Sequence, residues 1–416
     1  MSYRASYWKT TGAAFLLAAP AVGSIPLLNA GSLPATPVRV IDSALALFAF
    51  CMSLVGCAGL VCLWRDAREA AGKPDVYALD AGRVPTQGLL ARLGLRFLLG
   101  PQLRPGDRVR VKPLAEIAAT LDADRTLDGL PFMREMEAFC GQTFVVHRRV
   151  DKINDMRHKT GLRRMRNTVT LTAVRCSGAH HGDCQAECQI LWKEAWLEKA
   201  TATQTSRAPH GPDARSLPPE AALDRGPDTT YVCQMTRLWE ASTPMSRADI
   251  RQDLRPLLNG NVSLGAYLVA LLTRLFNRVQ SWRGGSGYPY MPPSPPKGVT
   301  PASAFTLHPG EPVVILGKDE IARTLVNSRN KGLWFDRDMI RFCGQAGIVR
   351  RRVERVIHEA TGRMVVMRTP CVTLDENVAT GEFLRLCPQH EYIFWREAWL
   401  RPQSRPAIVE QRAASS

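Results

Sequence analysis

Cysteine and histidine side chains are concentrated in one short segment of this chain, CSGAHHGDCQAEC, which runs from Cys176 to Cys188. Thiolates and imidazoles are good zinc ligands, and four of them close a tetrahedral site. Zinc is therefore a candidate cofactor, although cysteine spacings of seven and three residues differ from those of standard zinc fingers and ribbons. The alternative is a group of buried free cysteines with histidines in a loop. The candidate metal ligands are Cys140, Cys176, Cys184, Cys188, His180 and His181.

Arginine-rich stretches are the second feature that could carry chemistry. The chain has 54 Lys and Arg against 38 Asp and Glu, and its net charge of +16 favours anionic partners such as lipid headgroups or nucleic acid. Neighbouring arginines on a strand point to opposite faces, so part of this charge would lie on solvated surface rather than in one patch. The candidate anion-binding residues are Arg148, Arg149, Arg163, Arg164, Arg166, Arg351 and Arg352.

Two W-[KR]-E-A-W-L blocks place tryptophans around a glutamate. On a strand, both tryptophans and the glutamate of a block would share one face. This arrangement predicts either a ligand groove or a structural ion pair with an arginine such as Arg149 or Arg352, and we favour the ion pair. The residues concerned are Trp192, Glu194, Trp196, Trp395, Glu397 and Trp399.

Local signatures of common enzymes are missing from the sequence. It contains no nucleophile elbow, phosphate loop, dinucleotide fingerprint or His-Glu metalloprotease helix. No catalytic residue can therefore be named. A binding protein is favoured over an ordinary enzyme, although many active sites have no local signature.

The blocks recur because the C-terminal two-thirds of the chain is a duplication. PGDRVRVKPLAEIAATL, from Pro105, aligns with PGEPVVILGKDEIARTL, from Pro309. The alignment continues through GLPFMREMEAFCGQ and GLWFDRDMIRFCGQ and closes with ILWKEAWL and IFWREAWL. Cys140 aligns with Cys343 and Cys184 with Cys387, but Cys176 aligns with Ala379 and Cys188 with Glu391, so the second copy preserves only two of the candidate zinc ligands. His390 and Cys371 lie close enough in sequence to substitute for the other two.

Each repeat is rich in short β-branched and aromatic segments, RVRV, FVVHRRV, TVTLTAV and ILWKEAWL in the first copy. One short helix is expected over Glu116–Leu121 and again over Glu320–Leu325. The G-D-x-V-x-V opening at Gly106 resembles the first strand of SH3-like barrels of the KOW type. This resemblance implies a mainly β protein with short helices and two tandem SH3-like barrels. The duplicated E-M-x-x-x-C-G and W-[KR]-E-A-W-L blocks are also similar to those of an uncharacterised bacterial family, which implies no particular activity.

An uncharged run of 22 residues, Ser43–Trp64, matches the length of a membrane-spanning helix. Arg65, Arg68 and Lys73 follow it and mark the cytoplasmic side. A shorter uncharged run, Thr11–Leu28, would span, re-enter or act as a cleaved signal, and each outcome leaves the repeats in the cytoplasm. The alternative is a buried hairpin in a soluble protein.

The predicted organisation has six parts. They are a membrane anchor over 1–75, an amphipathic connector over 76–104, the first repeat over 105–200, a linker over 201–308, the second repeat over 309–402 and a flexible tail over 403–416. The linker contains an amphipathic helix over 264–282, which either packs on a repeat or lies in the membrane interface.

The sequence thus predicts a non-catalytic, membrane-tethered binding or scaffold protein at the cytoplasmic face of the inner membrane. Its partner would be another protein or anionic headgroups, because the repeats follow a membrane segment. Two alternatives stay open. One is a metal-dependent enzyme or accessory factor acting on an anionic membrane-bound or polymeric substrate, and the other is a nucleic-acid-binding protein.

Overall fold

The computed structural model describes residues 35–70, 102–155, 157–200, 229–246 and 248–403. They belong to two compact units, a helical unit over 1–77 and 265–292 and a β-rich unit over 78–264 and 293–416. Several predictions lie outside the described residues, namely those for Thr11–Leu28, Lys73, most of the connector and the linker over 201–228.

The described chain is mainly β with a few short helices, as the sequence predicted. The helices are α1 (Ala35–Ala70), α2 (Leu114–Ala118), α3 (Arg251–Leu258), α4 (Leu264–Trp282), α5 (Lys318–Ala322) and α6 (Arg337–Ile340). The strands are β1 (Arg108–Val111), β2 (Thr126–Leu127), β3 (Leu130–Pro131), β4 (Thr143–Arg149), β5 (Lys152–Asp155), β6 (Gly161–Arg164), β7 (Thr168–Arg175), β8 (Gln189–Lys193), β9 (Leu197–Lys199), β10 (Thr243–Pro244), β11 (Pro312–Ile315), β12 (Arg329–Asn330), β13 (Leu333–Trp334), β14 (Ala346–Ile357), β15 (Met364–Leu374), β16 (Trp395–Arg396) and β17 (Leu400–Pro402).

The helical unit is dominated by α1, which has 36 residues. Its segment Phe50–Arg68 has a mean hydropathy of 1.4, and only 22% of that window is buried. Among the described residues this is the one helix long and apolar enough to cross a membrane. It overlaps the predicted span and ends at the predicted basic residues.

Helix α4 belongs to the same unit and contacts the end of that segment. Arg65 donates from Nη1 to Oγ1 of Thr273 at 2.9 Å, and its guanidinium lies 4.7 Å from the ring centre of Tyr288. Asn277 of α4 holds the backbone of Tyr288 through its side-chain amide. The residues after α4 therefore fold back against the helix.

The apolar stripe predicted for α4 is divided between two environments. Tyr267 and Phe276 are buried, together with Val269, Ala270 and Thr273. Four large apolar side chains of the same helix are exposed, and their spacing of three, four or eleven residues places them on one face. They are Leu264, Leu268, Leu271 and Trp282.

The β-rich unit contains two five-stranded antiparallel sheets with the same strand order, and it includes a sheet curled into a half-barrel. The orders are β8-β7-β4-β1-β9 and β16-β15-β14-β11-β17. We call residues 102–200 the first module and residues 307–403 the second module. Alternating side chains of β1, Val109 and Val111, are fully buried against Trp192 and Trp196, so the core of the first module lies inside the curled sheet.

The W-K-E-A-W-L block is not one continuous strand, and that prediction is wrong. Strand β8 ends at Lys193, a 3₁₀ turn covers Glu194–Trp196, and β9 begins at Leu197. The turn lets the Glu194 carboxylate accept the N–H of Leu103 at 2.8 Å. The second module has the same turn over Glu397–Trp399.

The two modules pack against each other reciprocally. The loop that follows β7 in the first module contacts β14, because Gln185 donates its N–H to the carbonyl of Arg355 at 3.0 Å. In the opposite direction, Gln389 of the second module accepts the N–H of Asn154 in β5 at 2.7 Å. Each module therefore covers part of the other with its own loop.

Candidate functional site

A cavity of about 50 Å³ lies beside the loop over 176–188, and its lining includes four cysteines. It is bounded by the first module, by the segment around residue 233 and by the end of β14. The lining residues that could bind a metal or exchange a proton are Cys176, His181, Cys184, Cys188, Cys233 and Glu359.

Three potential metal-ligating side chains converge at this cavity. A carboxylate oxygen of Glu135, the Cys176 thiol and a ring nitrogen of His181 lie within 4.8 Å of one another. The Cys176 Sγ is 4.0 Å from His181 Nδ1, and that nitrogen is 3.9 Å from Glu135 Oε1. We call these three residues the Glu-Cys-His cluster.

The backbone of the loop from 176 to 188 fixes the cluster. Ser177 donates its N–H and its hydroxyl to Glu135 Oε2, at 3.2 and 3.1 Å. Gly178 has φ +75°, and a Cβ there would lie 1.9 Å from the carbonyl oxygen of Cys184. Only glycine fits this close approach, so the loop brings Cys176 and His181 to Glu135 through one tight turn.

The second module has the same loop without the soft ligands. Thr380 donates its N–H and hydroxyl to Asp338, as Ser177 does to Glu135. A Cβ on Gly381 would lie 2.1 Å from the carbonyl oxygen of Cys387. The positions of the thiol and imidazole are filled there by Ala379 and Leu384. This loop conformation therefore does not itself require Cys176 or His181.

Burial raises the pKa of three of the cavity thiols. Burial, reinforced by the carboxylate of Glu135, raises the pKa of Cys176 well above its ordinary value. Burial likewise raises the pKa of Cys188, and it raises that of Cys233 to about 11. Without a bound cation these thiols are protonated at neutral pH.

The cluster does not have the geometry of a cysteine–histidine nucleophile. In such an arrangement one ring nitrogen takes the thiol proton while the other is oriented by the carboxylate. Here the Cys176 thiol and the Glu135 carboxylate both face Nδ1 of His181. A reactive cysteine also needs a lowered pKa, whereas that of Cys176 is raised. The arrangement suits metal binding better than covalent catalysis.

The predicted ligand set is only partly brought together. Cys176, His181, Cys184 and Cys188 line the cavity, whereas Cys140 packs against the core of the first module and His180 is exposed. Sequence reasoning missed Glu135 and Cys233, which are distant along the chain. The alignment of Glu135 with Asp338, an acid in both copies, was the signal that could have found the carboxylate.

The candidate anion-binding arginines lie within the described residues, and six of the seven have internal partners. One hydrogen-bond or ion-pair partner of each is Asn261 for Arg148, Glu194 for Arg149, Ser242 for Arg163, Asp249 for Arg164, Glu187 for Arg351 and Glu397 for Arg352. Arg166 is exposed. These arginines therefore connect parts of the fold, and anion binding by them stays a prediction.

The tryptophans of the two W-[KR]-E-A-W-L blocks are fully buried. The indole N–H of Trp196 donates to Thr120 Oγ1 at 3.1 Å, and that of Trp399 to Thr324 Oγ1 at 2.9 Å. Rings without exposed surface cannot line a groove. These residues, and the glutamate that pairs with Arg149, support the fold, in agreement with the structural interpretation.

No family model matches the chain, and a search of curated proteins finds no similar sequence. The resemblance to KOW-type barrels and to a duplicated bacterial family accordingly stays a prediction.

Proposed function

We propose that this chain is a membrane-tethered binding protein of the cytoplasmic face, whose helical unit attaches it to anionic lipid and whose two modules form a non-catalytic binding body. The observation that carries the proposal is the exposed apolar surface on both helices of the helical unit. In that unit, α1 and α4 are joined by the contact between Arg65 and Thr273.

Helix α1 supplies the tether. Phe50 is 61% exposed and Leu60 is 67% exposed. Both lie in a segment of 19 residues that is long and apolar enough to cross a membrane. A soluble helical hairpin would bury such side chains, whereas a hydrocarbon environment solvates them. The basic residues at its end, Arg65 and Arg68, favour an orientation with that end in the cytoplasm.

Helix α4 supplies a second contact, along the membrane surface. Its exposed face carries Leu268, Leu271 and Trp282, and Trp is favoured at the boundary between water and hydrocarbon. Arg278 lies 5.4 Å above the Trp282 ring, which places a cation beside the apolar face. This combination is typical of helices that lie in the headgroup region.

The β-rich unit is the binding body in this proposal. We infer that its modules arose by duplication and are tandem SH3-like units. The shared strand order and the equivalent 3₁₀ turns at Glu194 and Glu397 support this inference. Nucleic acid is less favoured as the partner, because most of the arginines that would have bound phosphate have internal partners.

Photo-cross-linking tests the attachment. A photoreactive amino acid replaces Leu54, Leu271 or Val299, one at a time, in the full chain reconstituted into vesicles of phosphatidylcholine with phosphatidylglycerol. Val299 is 92% exposed in the β-rich unit and controls for exposure alone. We expect lipid adducts from positions 54 and 271, and we expect the yield at 271 to fall when the anionic lipid is left out.

Two results would contradict the proposal. Position 54 could give no lipid adduct, which would remove the tether. Position 271 could react no more than position 299 and instead cross-link to a second copy of the chain, which would make the exposed face of α4 a protein-docking surface.

A further inference from the structure

We propose that Glu135, Cys176 and His181 bind one zinc ion at the edge of the cysteine-lined cavity. This site goes beyond the proposed membrane function and does not depend on it. Three observations support it: the convergence of the three side chains, the unsatisfied buried oxygen Oε1 of Glu135, and the equivalent loop of the second module, which lacks the thiol and the imidazole.

The donor set fits zinc. One thiolate, one imidazole and one carboxylate are the three ligand types that zinc takes from proteins. A harder cation such as magnesium prefers oxygen ligands alone, and a site for monovalent copper prefers sulfur. The mixed set of Glu135, Cys176 and His181 therefore favours a divalent ion of intermediate softness.

The distances are close to those of a zinc site. With a zinc–sulfur bond of about 2.3 Å and a zinc–nitrogen bond of about 2.0 Å, tetrahedral coordination separates the two ligand atoms by about 3.5 Å. The Cys176 Sγ and the His181 Nδ1 are 4.0 Å apart. Movement of a few tenths of an ångström by each side chain would bring both into the coordination sphere of one ion.

One carboxylate oxygen of the cluster lacks a hydrogen bond in the described part of the chain. Glu135 Oε1 is buried and unsatisfied, in a residue that is 9% exposed. Such groups are unfavourable in a folded protein and call for an explanation. Ser177 holds only Oε2 of Glu135, so Oε1 is left facing the imidazole as an available ligand atom.

The second module shows that the loop does not need these ligands to fold. It keeps the tight turn at Gly381 and the hydrogen bonds from Thr380 to Asp338, with Ala379 and Leu384 at the ligand positions. A thiol and an imidazole beside a buried carboxylate in the first module are thus additions to a common scaffold. Metal binding explains why all three occur together.

Three protein ligands leave a fourth zinc position, and two of the three ligands, Cys176 and His181, line the cavity. Its volume of about 50 Å³ exceeds the space that one water requires. Cys184 and Cys233 line the same cavity. The site therefore resembles zinc centres that keep one position open for water or another small ligand, rather than closed structural sites.

Elemental analysis of the full chain, purified in detergent after expression with added zinc, is the direct test. We expect one zinc ion per chain. The variant Cys176→Ala with His181→Leu copies the residues of the second module, so it is designed to fold and to lose the metal. Cys140→Ala removes a cysteine outside the cavity and should keep the zinc.

Cobalt substitution gives a second readout that does not require activity or lipid. Cobalt bound to the wild-type chain should show a thiolate-to-metal charge-transfer band, which Cys176→Ala should abolish while its circular dichroism stays that of the wild type. Substoichiometric zinc in the wild type, retention of zinc by the double variant, or cobalt without a thiolate band would overturn the proposal. Iron or copper in place of zinc would also overturn it. None of these results bears on whether α1 spans a membrane.

Discussion

Arg149 donates a hydrogen bond from Nη1 to Oε1 of Glu194, the same carboxylate oxygen that accepts the N–H of Leu103. The pair connects β4, the 3₁₀ turn after β8 and the start of the first module. Arg352 and Glu397 make the equivalent pair in the second module. In both modules, therefore, an arginine on a central strand forms an ion pair with the glutamate of the 3₁₀ turn near the C-terminal end of the module.

Replacing Glu194 with alanine should destabilise the first module by about 3 kcal/mol, because it leaves a buried guanidinium without its main partner. The side chain of Arg149 is only 3% exposed, so solvent cannot replace the lost carboxylate. Urea denaturation of the full chain in detergent measures the change. Glu354→Ala is the control, because this exposed partner of Arg352 should contribute less than about 1 kcal/mol. A loss below about 1 kcal/mol for Glu194→Ala as well would show that the Glu194 pair does not stabilise the fold.

Gly178→Ala should destabilise the chain by about 3 kcal/mol, since it combines left-handed backbone strain with a clash against the carbonyl of Cys184. Gly141 is the matched control. It has φ +77°, but a methyl group added there would meet open space, so Gly141→Ala should cost only about 1 kcal/mol. Thermal unfolding of both variants separates the clash from the strain. A Gly178→Ala protein as stable as Gly141→Ala would mean that the loop is not constrained as described.

Two half-buried carboxyl groups should make stability depend on pH. Burial raises the pKa of Glu359 to about 7, and burial, opposed by Arg175, raises the pKa of Glu391 to about 7. The ordinary value is 4.5, so the folded chain binds these protons more tightly than the unfolded chain. Their contribution to stability is fully present below about pH 4.5 and is lost as the pH rises through about 7.

Urea midpoints measured between about pH 5 and about pH 8 test this dependence. The midpoint should fall with rising pH in the wild type, and Glu359→Gln with Glu391→Gln should flatten the fall. Glu354→Gln serves as the exposed control and should leave the slope unchanged. A slope that survives in the double variant would assign the effect to other groups.

Local sequence was enough to predict the strands and the arginine partner of Glu194. It was not enough to predict the 3₁₀ turn that interrupts the W-K-E-A-W-L strand. Alternation in R-V-R-V and T-V-T-L-T-A-V is a property of a few neighbouring residues, and β1 and β7 form there. The partner of Glu194 could be named because a buried glutamate needs an arginine. In the turn that breaks the W-K-E-A-W-L block, Glu194 accepts the backbone N–H of Leu103, a partner that no local pattern contains.

The site was predictable only where its residues are close in sequence. Cys176, His181, Cys184 and Cys188 share one loop, and their types alone indicated metal chemistry. Glu135 and Cys233 approach them through the folding of separate segments. Cys140 was included for its chemistry, but the turn that contains it packs toward the core instead.

The amphipathic pattern of α4 identified a helix without identifying its surroundings. Periodicity predicts that one face is apolar, but it does not say whether protein or lipid covers that face. The structure divides the stripe, with Tyr267 and Phe276 buried and Leu268 and Leu271 exposed. The apolar residues of α4 cover more of the helix surface than one packing contact would bury. That width is the sequence signal that could have indicated one buried and one exposed apolar face.

Fractionation of cells that express the full chain tests the membrane tether most directly. If α1 spans the membrane, the chain stays in the pellet after an alkaline carbonate wash and moves to the supernatant only when detergent dissolves the bilayer. Recovery of soluble, unaggregated full-length chain in the supernatant without detergent would contradict the account.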